Sequence, residues 1–177
     1  LAPHRVVEIA REVFPRPTVA TVDTGAHALA VSAFWESYEP KTYLCSGGLA
    51  GTGYAIPAAI AAKLNAPERP VLAFTGESGL LLSLSEVATA SGLGLKIVVV
   101  VFVDESQSLV RVVQEQKRYA PVGVSLPQLD IPKIVDGLGA LGTEVEDEEG
   151  LRAALSDALE APRPAIIAAR INPHGYR

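Results

Sequence analysis

The sequence predicts a doubly wound α/β domain with a mainly parallel sheet, and three observations lead to this fold class. Continuous apolar runs recur along the chain, at 70–76 (PVLAFTG), 96–103 (KIVVVVFV) and 165–171 (AIIAARI). Segments of good helix formers separate these runs, and glycine-containing turns follow several of them. Strands that are apolar throughout need cover on both faces, which a parallel sheet between two helical layers provides.

The first third of the chain alternates between helix and strand. Apolar side chains recur at helical spacing over 3–13, and two prolines follow this predicted helix. The β-branched run at 18–22 and the short segment at 42–45 predict strands, and 26–35 between them is helix-like. A glycine-rich turn, SGGLAGTG at 46–53, comes next.

The same alternation continues to the end of the chain. Residues 55–64 form a strong helix pattern, in which the single proline falls in the first turn, where it is tolerated. Further helices are predicted over 80–91, from near Ser106, over 131–141 and over 148–160. The acidic run that precedes the last helix is interpreted as a solvated turn, and the proline-containing loop before 131 as a mobile segment or lid.

The length and composition fit one domain with its own core. The chain has 177 residues, of which 49% are hydrophobic and 20% are charged. We interpret 1–177 as a single domain. The chain has no methionine and begins with leucine, so we expect it to be part of a longer protein.

Charge and cysteine content exclude several classes of protein. A formal net charge of −5 disfavours nucleic acid as a partner. The single cysteine, Cys45, permits neither an internal disulfide nor a zinc site, which is typical of a reducing compartment. No apolar run approaches the ~20 residues that span a bilayer, and no secretion signal is visible. We expect a cytoplasmic protein that does not contact a membrane.

Unusual residues follow three of the predicted strands. They are the segment from Asp23 to His27, the turn at 46–53, and two acids, Glu77 and Asp104. Ligands of such sheets bind beyond the carboxyl ends of the strands, where the two acids would meet. Carboxylates, backbone carbonyls and phosphate oxygens are the ligands of magnesium. The alternative is that each acid only caps the helix that follows it.

The glycines near these acids favour a ligand site over simple capping. Gly76 and Gly79 flank the first acid and allow the backbone to approach an anion closely. The Gly51–Gly53 pair also permits a dinucleotide-binding interpretation, for NAD or FAD. Against it, the third glycine of that fingerprint would fall at Ile56 and is absent.

Three segments together resemble a known family. The most specific is GGLAGTGYAIPAAIAAKLNAPERPVLAFTGESG at 47–79, and VDTGAHA at 22–28 and LVRVVQEQ at 109–116 support it. The chain resembles the C-terminal thiamine-diphosphate-binding domain of the acetolactate synthase and benzoylformate decarboxylase group. The resemblance extends over nearly the whole chain.

The resemblance implies a set of site residues. Those expected at thiamine diphosphate are Gly25, Ala26, His27, Ala50, Gly51, Thr52, Gly76, Ser78 and Gly79. Those expected at Mg²⁺ are Glu77, Asp104 and the backbone carbonyl of Ser106. Ala50 would offer its carbonyl to the aminopyrimidine, and Thr52 would take the place of the apolar residue that bends the cofactor.

The sequence departs from the family pattern at these same places. Glu77-Ser78 stands where the family has Asp-Gly, and Val103-Asp104 stands where it has paired asparagines. A glutamate adds a methylene of reach, which magnesium's strict geometry would register, and an aspartate in place of asparagine adds a negative charge. We therefore expect cofactor binding to depend steeply on the metal.

The resemblance also implies an activity and partners. The chain would form part of a 2-keto acid carboligase or decarboxylase, a transferase or lyase, and would contain no catalytic residue of its own. The glutamate that activates the cofactor would come from a pyrimidine-binding domain of the same or a second chain, in a homo-oligomer, so the isolated domain would be inactive. A non-catalytic homologue that keeps the fold for assembly is the remaining alternative.

Overall fold

The most apolar run of the sequence forms the middle of a six-stranded sheet in which every strand pair is parallel. The computed structural model describes residues 1–176. The strands are β1 (Val19–Val22), β2 (Tyr43–Cys45), β3 (Val71–Gly76), β4 (Val98–Val103), β5 (Leu141–Val145) and β6 (Ala165–Arg170). Their order across the sheet is β2-β1-β3-β4-β6-β5. All six residues of β4 are buried, because the strand is central and covered on both faces.

Helices cover the two faces of this sheet. They are α1 (Pro3–Val13), α2 (Ala26–Phe34), α3 (Ala55–Asn65), α4 (Glu77–Leu82), α5 (Leu84–Gly92), α6 (Ser108–Gln116), α7 (Ile131–Asp136), α8 (Glu148–Glu160) and a 3-10 turn (Pro173–Tyr176). One apolar cluster joins α1, α2 and α8 to the sheet, and a second joins α3, α5 and α7 to its other face. The predicted doubly wound α/β fold is confirmed. Within residues 1–176, no helix has the length and apolarity needed to cross a membrane.

The strand register brings the unusual residues to one edge. Val22 of β1 is level with Phe74 of β3, and Gly76 of β3 is level with Phe102 of β4. The carboxyl ends of β1, β3 and β4 are therefore neighbours, and the residues that follow these strands meet there.

The structure corrects two predicted elements and places the start of a third within two residues of its prediction. Strand β5 was not predicted: the helix expected over 131–141 ends at Asp136, and the chain returns to the sheet edge. Gly142 permits this return, since a Cβ there would lie 2.5 Å from the Cα of Pro132. The helix expected over 80–91 is broken at Ser83, whose hydroxyl bonds the Gly79 carbonyl at 2.7 Å. The helix expected from near Ser106 begins at residue 108.

Candidate functional site

A cavity of about 230 Å³ opens at the carboxyl ends of β1, β3 and β4. Its walls are residues 24–27, Thr52, 76–79 and 106–110, together with Leu82, Phe102, Asp104 and Tyr176. Every residue predicted for the site lies in this wall except Ala50 and Gly51. Those two lie on the exposed part of the glycine-rich turn, and Ala50 adopts a left-handed backbone with φ of 52°.

Glu77 is the buried acid of the cavity, with 3% of its surface exposed. Its Oε2 accepts hydrogen bonds from the backbone N–H groups of Asp104, at 3.0 Å, and Glu105, at 2.7 Å. Its Oε1 is buried and has no hydrogen-bond partner among the described residues. Burial raises the pKa of Glu77, although the two N–H bonds oppose this shift. Glu77 does not cap its own helix, so the capping interpretation fails at this position.

Asp104 lies across the cavity edge from Glu77 and holds the loop that leads into α6. Its Oδ1 accepts the Ser106 N–H at 3.1 Å, and its Oδ2 accepts the Ser108 hydroxyl. Burial raises the pKa of Asp104, while these two donors and the charge of Arg111 lower it. Here the alternative interpretation, capping, is partly correct, because the carboxylate orders the residues that begin the helix.

The donor set limits what kind of metal site this edge can form. Within residues 1–176, no group of three or more His, Cys, Asp or Glu side chains is arranged to hold a metal ion. Two carboxylates alone do not complete six ligands, so a hard cation here needs carbonyl, water or phosphate oxygens as well. The unpartnered oxygen of Glu77 fits such a cation, since a buried acceptor left unsatisfied costs about 1–3 kcal/mol.

His27 lies in a socket formed by two glycines. A Cβ at Gly25 would lie 2.7 Å from the His27 Cε1, and a Cβ at Gly76 would lie 3.5 Å from its Nδ1. The ring stacks on Phe102 with centroids 5.4 Å apart. Gly25 therefore makes room for the imidazole, a role that the resemblance did not imply.

The imidazole of His27 is neutral near pH 7. Only 4% of the residue is exposed, and burial lowers its pKa to about 4, against the opposing charge of Asp23 and a hydrogen bond to the Asp23 backbone. The Nε2 atom is buried and has no partner among the described residues. A polar atom in this state is suited to a ligand that brings its own hydrogen-bonding group.

Comparisons with known proteins identify the family of this domain. The sequence profile of the family described as "Thiamine pyrophosphate enzyme, C-terminal TPP binding domain" matches residues 23–169. The chain belongs to this family. Thiamine pyrophosphate is thiamine diphosphate, so the resemblance drawn from the sequence is confirmed.

Two acetolactate synthases are among the proteins whose sequences are similar to this chain. The acetolactate synthase of Bacillus subtilis (strain 168) is 33% identical over 165 residues, which are 93% of this chain and 29% of the relative. The catabolic acetolactate synthase of Raoultella terrigena is 31% identical over 169 residues, which are 95% of this chain and 30% of the relative. The chain thus spans less than a third of the length of these relatives.

A solved structure shows the same fold. The thiamine diphosphate-dependent 4-hydroxybenzoylformate decarboxylase of Rhodococcus jostii RHA1 superposes with a TM-score of 0.91 at 21% identity. The match covers 97% of this chain and 33% of that chain. At this identity the likeness concerns the fold alone.

Sequence reasoning did not assign a role to two residues of the site. Asp23 is 2% exposed and accepts several hydrogen bonds; its place directly after a buried strand was a signal that pointed to it. Tyr176 lies in the cavity wall, and burial together with the charge of Asp104 raises its pKa, so its hydroxyl stays protonated. Nothing in the local sequence indicated that the last turn of the chain reaches this cavity.

The segment 119–130, predicted as a mobile segment or a lid, lies against the loop that follows β4. Ser125 pairs with Ser106 in an antiparallel bridge, flanked by hydrogen bonds from Gln107 N–H to the Val124 carbonyl and from Leu126 N–H to the Glu105 carbonyl, both 2.8 Å. These contacts hold the middle of the loop beside the cavity.

Proposed function

We propose that this domain binds thiamine diphosphate together with Mg²⁺ at the 230 Å³ cavity, as part of a larger 2-keto acid carboligase or decarboxylase. The observation that carries the proposal is the buried Oε1 of Glu77, which has no partner among residues 1–176 and lies where β3 and β4 end. A cation there would satisfy this oxygen and offset the burial of the carboxylate.

The proposed cation ligands are the side chains of Glu77 and Asp104 and the backbone carbonyl of Ser106. Two of them are carboxylates that line the same cavity, and the Asp104 charge contributes to raising the Glu77 pKa. The backbone hydrogen bonds to the facing segment on either side of Ser106 involve the Gln107 N–H and the Glu105 carbonyl. They do not use the carbonyl of Ser106 itself. Magnesium keeps waters and phosphate oxygens in its shell, so the cofactor's diphosphate would complete the site.

The proposed diphosphate contacts are His27 and the backbone of the turn from Gly76 to Gly79. The buried Nε2 of His27 has no partner among the described residues. The negative charge of a bound diphosphate would raise the pKa of the ring, and the proton taken up at Nε2 would be donated to a phosphate oxygen. Position 79 has no room for a side chain, because a Cβ there would overlap Thr75 Oγ1 and Asp23 Oδ2. Residues 77–79 form the first turn of α4, where backbone N–H groups without an intrahelical partner suit an anion.

When bound, thiamine diphosphate supplies the carbanion chemistry for cleaving or joining 2-keto acids. The residues of this chain would hold and orient it: Ala50 and Gly51 on the glycine-rich turn, Thr52 at the cavity wall, and Ala26 at the start of α2 complete the proposed contacts. We place no catalytic residue in this chain. The activating glutamate would come from a pyrimidine-binding domain of the same or a second chain, within a cytoplasmic homo-oligomer.

Calorimetry of the complete enzyme that carries this domain tests the proposal. Thiamine diphosphate is titrated in the presence of Mg²⁺ and, separately, of EDTA; we expect binding only with the metal. NAD and FAD are titrated under the same conditions, and saturable binding of either would favour a dinucleotide domain. An assembled oligomer that binds none of the three would overturn the proposal and indicate a homologue kept for assembly.

A further inference from the structure

Asp23 is a buried carboxylate that binds backbone rather than a basic side chain. Its Oδ1 accepts N–H bonds from Thr24 at 2.8 Å, Gly53 at 2.9 Å and Tyr54 at 3.3 Å. Its Oδ2 accepts the Thr75 hydroxyl at 3.0 Å and shares the Gly53 N–H at 3.0 Å. The residue is 2% exposed. Both carboxylate oxygens are thus occupied by donors from the protein.

The charge of Asp23 is balanced by these donors alone. The ion pairs of residues 1–176 do not include it. Backbone N–H groups only donate, so the geometry matches the ionised carboxylate. Burying such a charge is unfavourable unless several hydrogen bonds satisfy it. A neutral side chain could link the ends of β1 and β3 at a lower desolvation cost. We therefore look for the role of this carboxylate in the backbone groups that it binds.

Those groups lie in three separate segments that adjoin the cavity wall at Thr24, Thr52 and Gly76. Asp23 follows β1, while Gly53 and Tyr54 end the glycine-rich turn at its junction with α3. Thr75 lies in β3, and the Gly79 backbone at the start of α4 packs directly on Asp23 Oδ2 and Thr75 Oγ1. One carboxylate therefore sets the spacing between the turn that carries Thr52 and the turn that carries Gly79.

The glycine-rich turn has few other attachments. Leu49 at its tip is 99% exposed. Cβ atoms at Gly47, Gly48 and Gly51 would meet no atom within 4 Å. The backbone bond from Gly47 N–H to the Cys45 carbonyl, at 3.1 Å, lies at its opposite end. The Asp23 contacts thus attach the end of the turn that borders the cavity.

We propose that Asp23 is a positioning residue of the cofactor site, which holds the glycine-rich turn (46–53) at a set distance from the Gly76–Gly79 turn. The inference rests on the proposed function, because these two turns would hold the two ends of one thiamine diphosphate molecule. Asp23 itself touches neither cofactor nor metal; it acts through the backbone of Gly53 and Gly79.

The test compares D23N, T75V and D157N in the complete enzyme. Asparagine keeps the volume of Asp23 and one of its two acceptor oxygens. It replaces the other, Oδ2, which now accepts bonds from both the Gly53 N–H and the Thr75 hydroxyl. T75V removes one donor and leaves the carboxylate in place. D157N is the control, since Asp157 is exposed on α8. The readouts are the Kd of thiamine diphosphate with Mg²⁺, and hydrogen exchange at individual amides.

For D23N we expect a Kd about tenfold higher, the ratio that corresponds to one hydrogen bond to a charged group. We also expect faster exchange at Gly53 and Tyr54 with unchanged exchange in β4. T75V should raise the Kd by roughly threefold and leave Gly53 exchange as in the unmodified protein. D157N should change neither quantity.

An unchanged Kd in D23N, or exchange that accelerates equally in β4 and at Gly53, would overturn the inference and leave Asp23 a general stabilising residue. If D23N does not fold, an unchanged Kd in T75V overturns it. If the unmodified enzyme binds no thiamine diphosphate, the proposed function fails; exchange of Gly53 and Tyr54 in D23N then still decides whether Asp23 anchors the turn.

Discussion

Replacing Glu77 by glutamine removes one buried negative charge and keeps the shape of the side chain. The amide oxygen can accept the same two N–H bonds, from Asp104 and Glu105, that Oε2 accepts now. What disappears is the anionic Oε1, for which the described part of the chain offers no hydrogen-bond partner. Without metal, the variant should therefore fold at least as stably as the unmodified protein at pH 7, because it avoids the burial of an uncompensated charge.

The pH dependence of this comparison follows from the raised pKa of Glu77. A carboxyl whose pKa is raised by folding contributes stability that is complete below its unfolded value of 4.5 and is lost as the pH rises through the folded pKa. The metal-free unmodified protein should thus lose stability relative to E77Q as the pH rises from about 4.5. The two stability curves should approach each other at lower pH.

When cofactor and Mg²⁺ are present, the unmodified protein should be more stable than E77Q. A ligand at a hundred times its Kd stabilises the folded state by about 2.7 kcal/mol. For a domain of this size each kcal/mol corresponds to roughly 2–4 °C, so Tm of the unmodified protein should rise by about 5–10 °C. E77Q should lose most of this increase, since the oxygen that meets the cation is gone.

Calorimetric melting of the complete enzyme, in EDTA and with thiamine diphosphate plus Mg²⁺ between pH 5 and 8, measures both effects. E160Q is the matched control, because Glu160 is an exposed glutamate at the end of α8. The reasoning is refuted if E77Q shows the same metal-dependent rise in Tm as the unmodified protein. A large loss of stability of E77Q in EDTA at pH 7 would refute the account of its apo state.

Three further predictions concern the cavity wall. G25A should displace the His27 ring and weaken thiamine diphosphate binding by about tenfold in calorimetry, while G47A, whose Cβ meets nothing within 4 Å, should not; equal Kd values would contradict this. The His27 imidazole should titrate at a pH of about 4 in NMR spectra of the unliganded protein. Because folding lowers this pKa, its contribution to stability should be present above pH 6.5 and be lost as the pH falls through about 4; a midpoint near 6.5 would show an exposed ring. Y176F should raise the cofactor Kd by roughly three- to tenfold, whereas Y119F, at a tyrosine that is 65% exposed, should leave it unchanged.

The longest strands that the sequence predicted are buried on both faces, so almost all of their residues are apolar. In β3, β4 and β6 every residue except the last of β3 and of β6 is buried, so each reads as a continuous apolar run. Strand β5 pairs with β6 alone at the sheet edge, and only Val145 of its five residues is buried. Its composition therefore resembles a solvated turn, and only the pairing with β6 makes it a strand.

The same distinction applies to the site. The positions of Glu77 and Asp104 follow from strand ends in a parallel sheet, which the sequence predicts. The contacts of Asp23 do not, because its partners lie 30, 31 and 52 residues along the chain. Nor does the place of Tyr176, which depends on how the last turn packs against α1: a Cβ at Gly175 would lie 2.6 Å from the Pro3 Cδ.

The structure gives a physical reason for the glutamate at position 77, where the family pattern has an aspartate. The extra methylene lets Oε2 reach from the end of β3 to the N–H groups of Asp104 and Glu105, beyond the end of β4. Glu105 has a left-handed backbone conformation, with φ of 54°, at the position where its own N–H group bonds Glu77. The Glu105 carboxylate forms an ion pair with Arg170 at 3.2 Å. Asp104 in turn binds the Ser106 N–H and the Ser108 hydroxyl, which order the start of α6. The departures at 77 and 104 therefore belong to one hydrogen-bonded unit, and residues in one unit do not contribute additively. Returning either position alone to the family residue should therefore disturb the other, and the double variant should not show the sum of the two single effects.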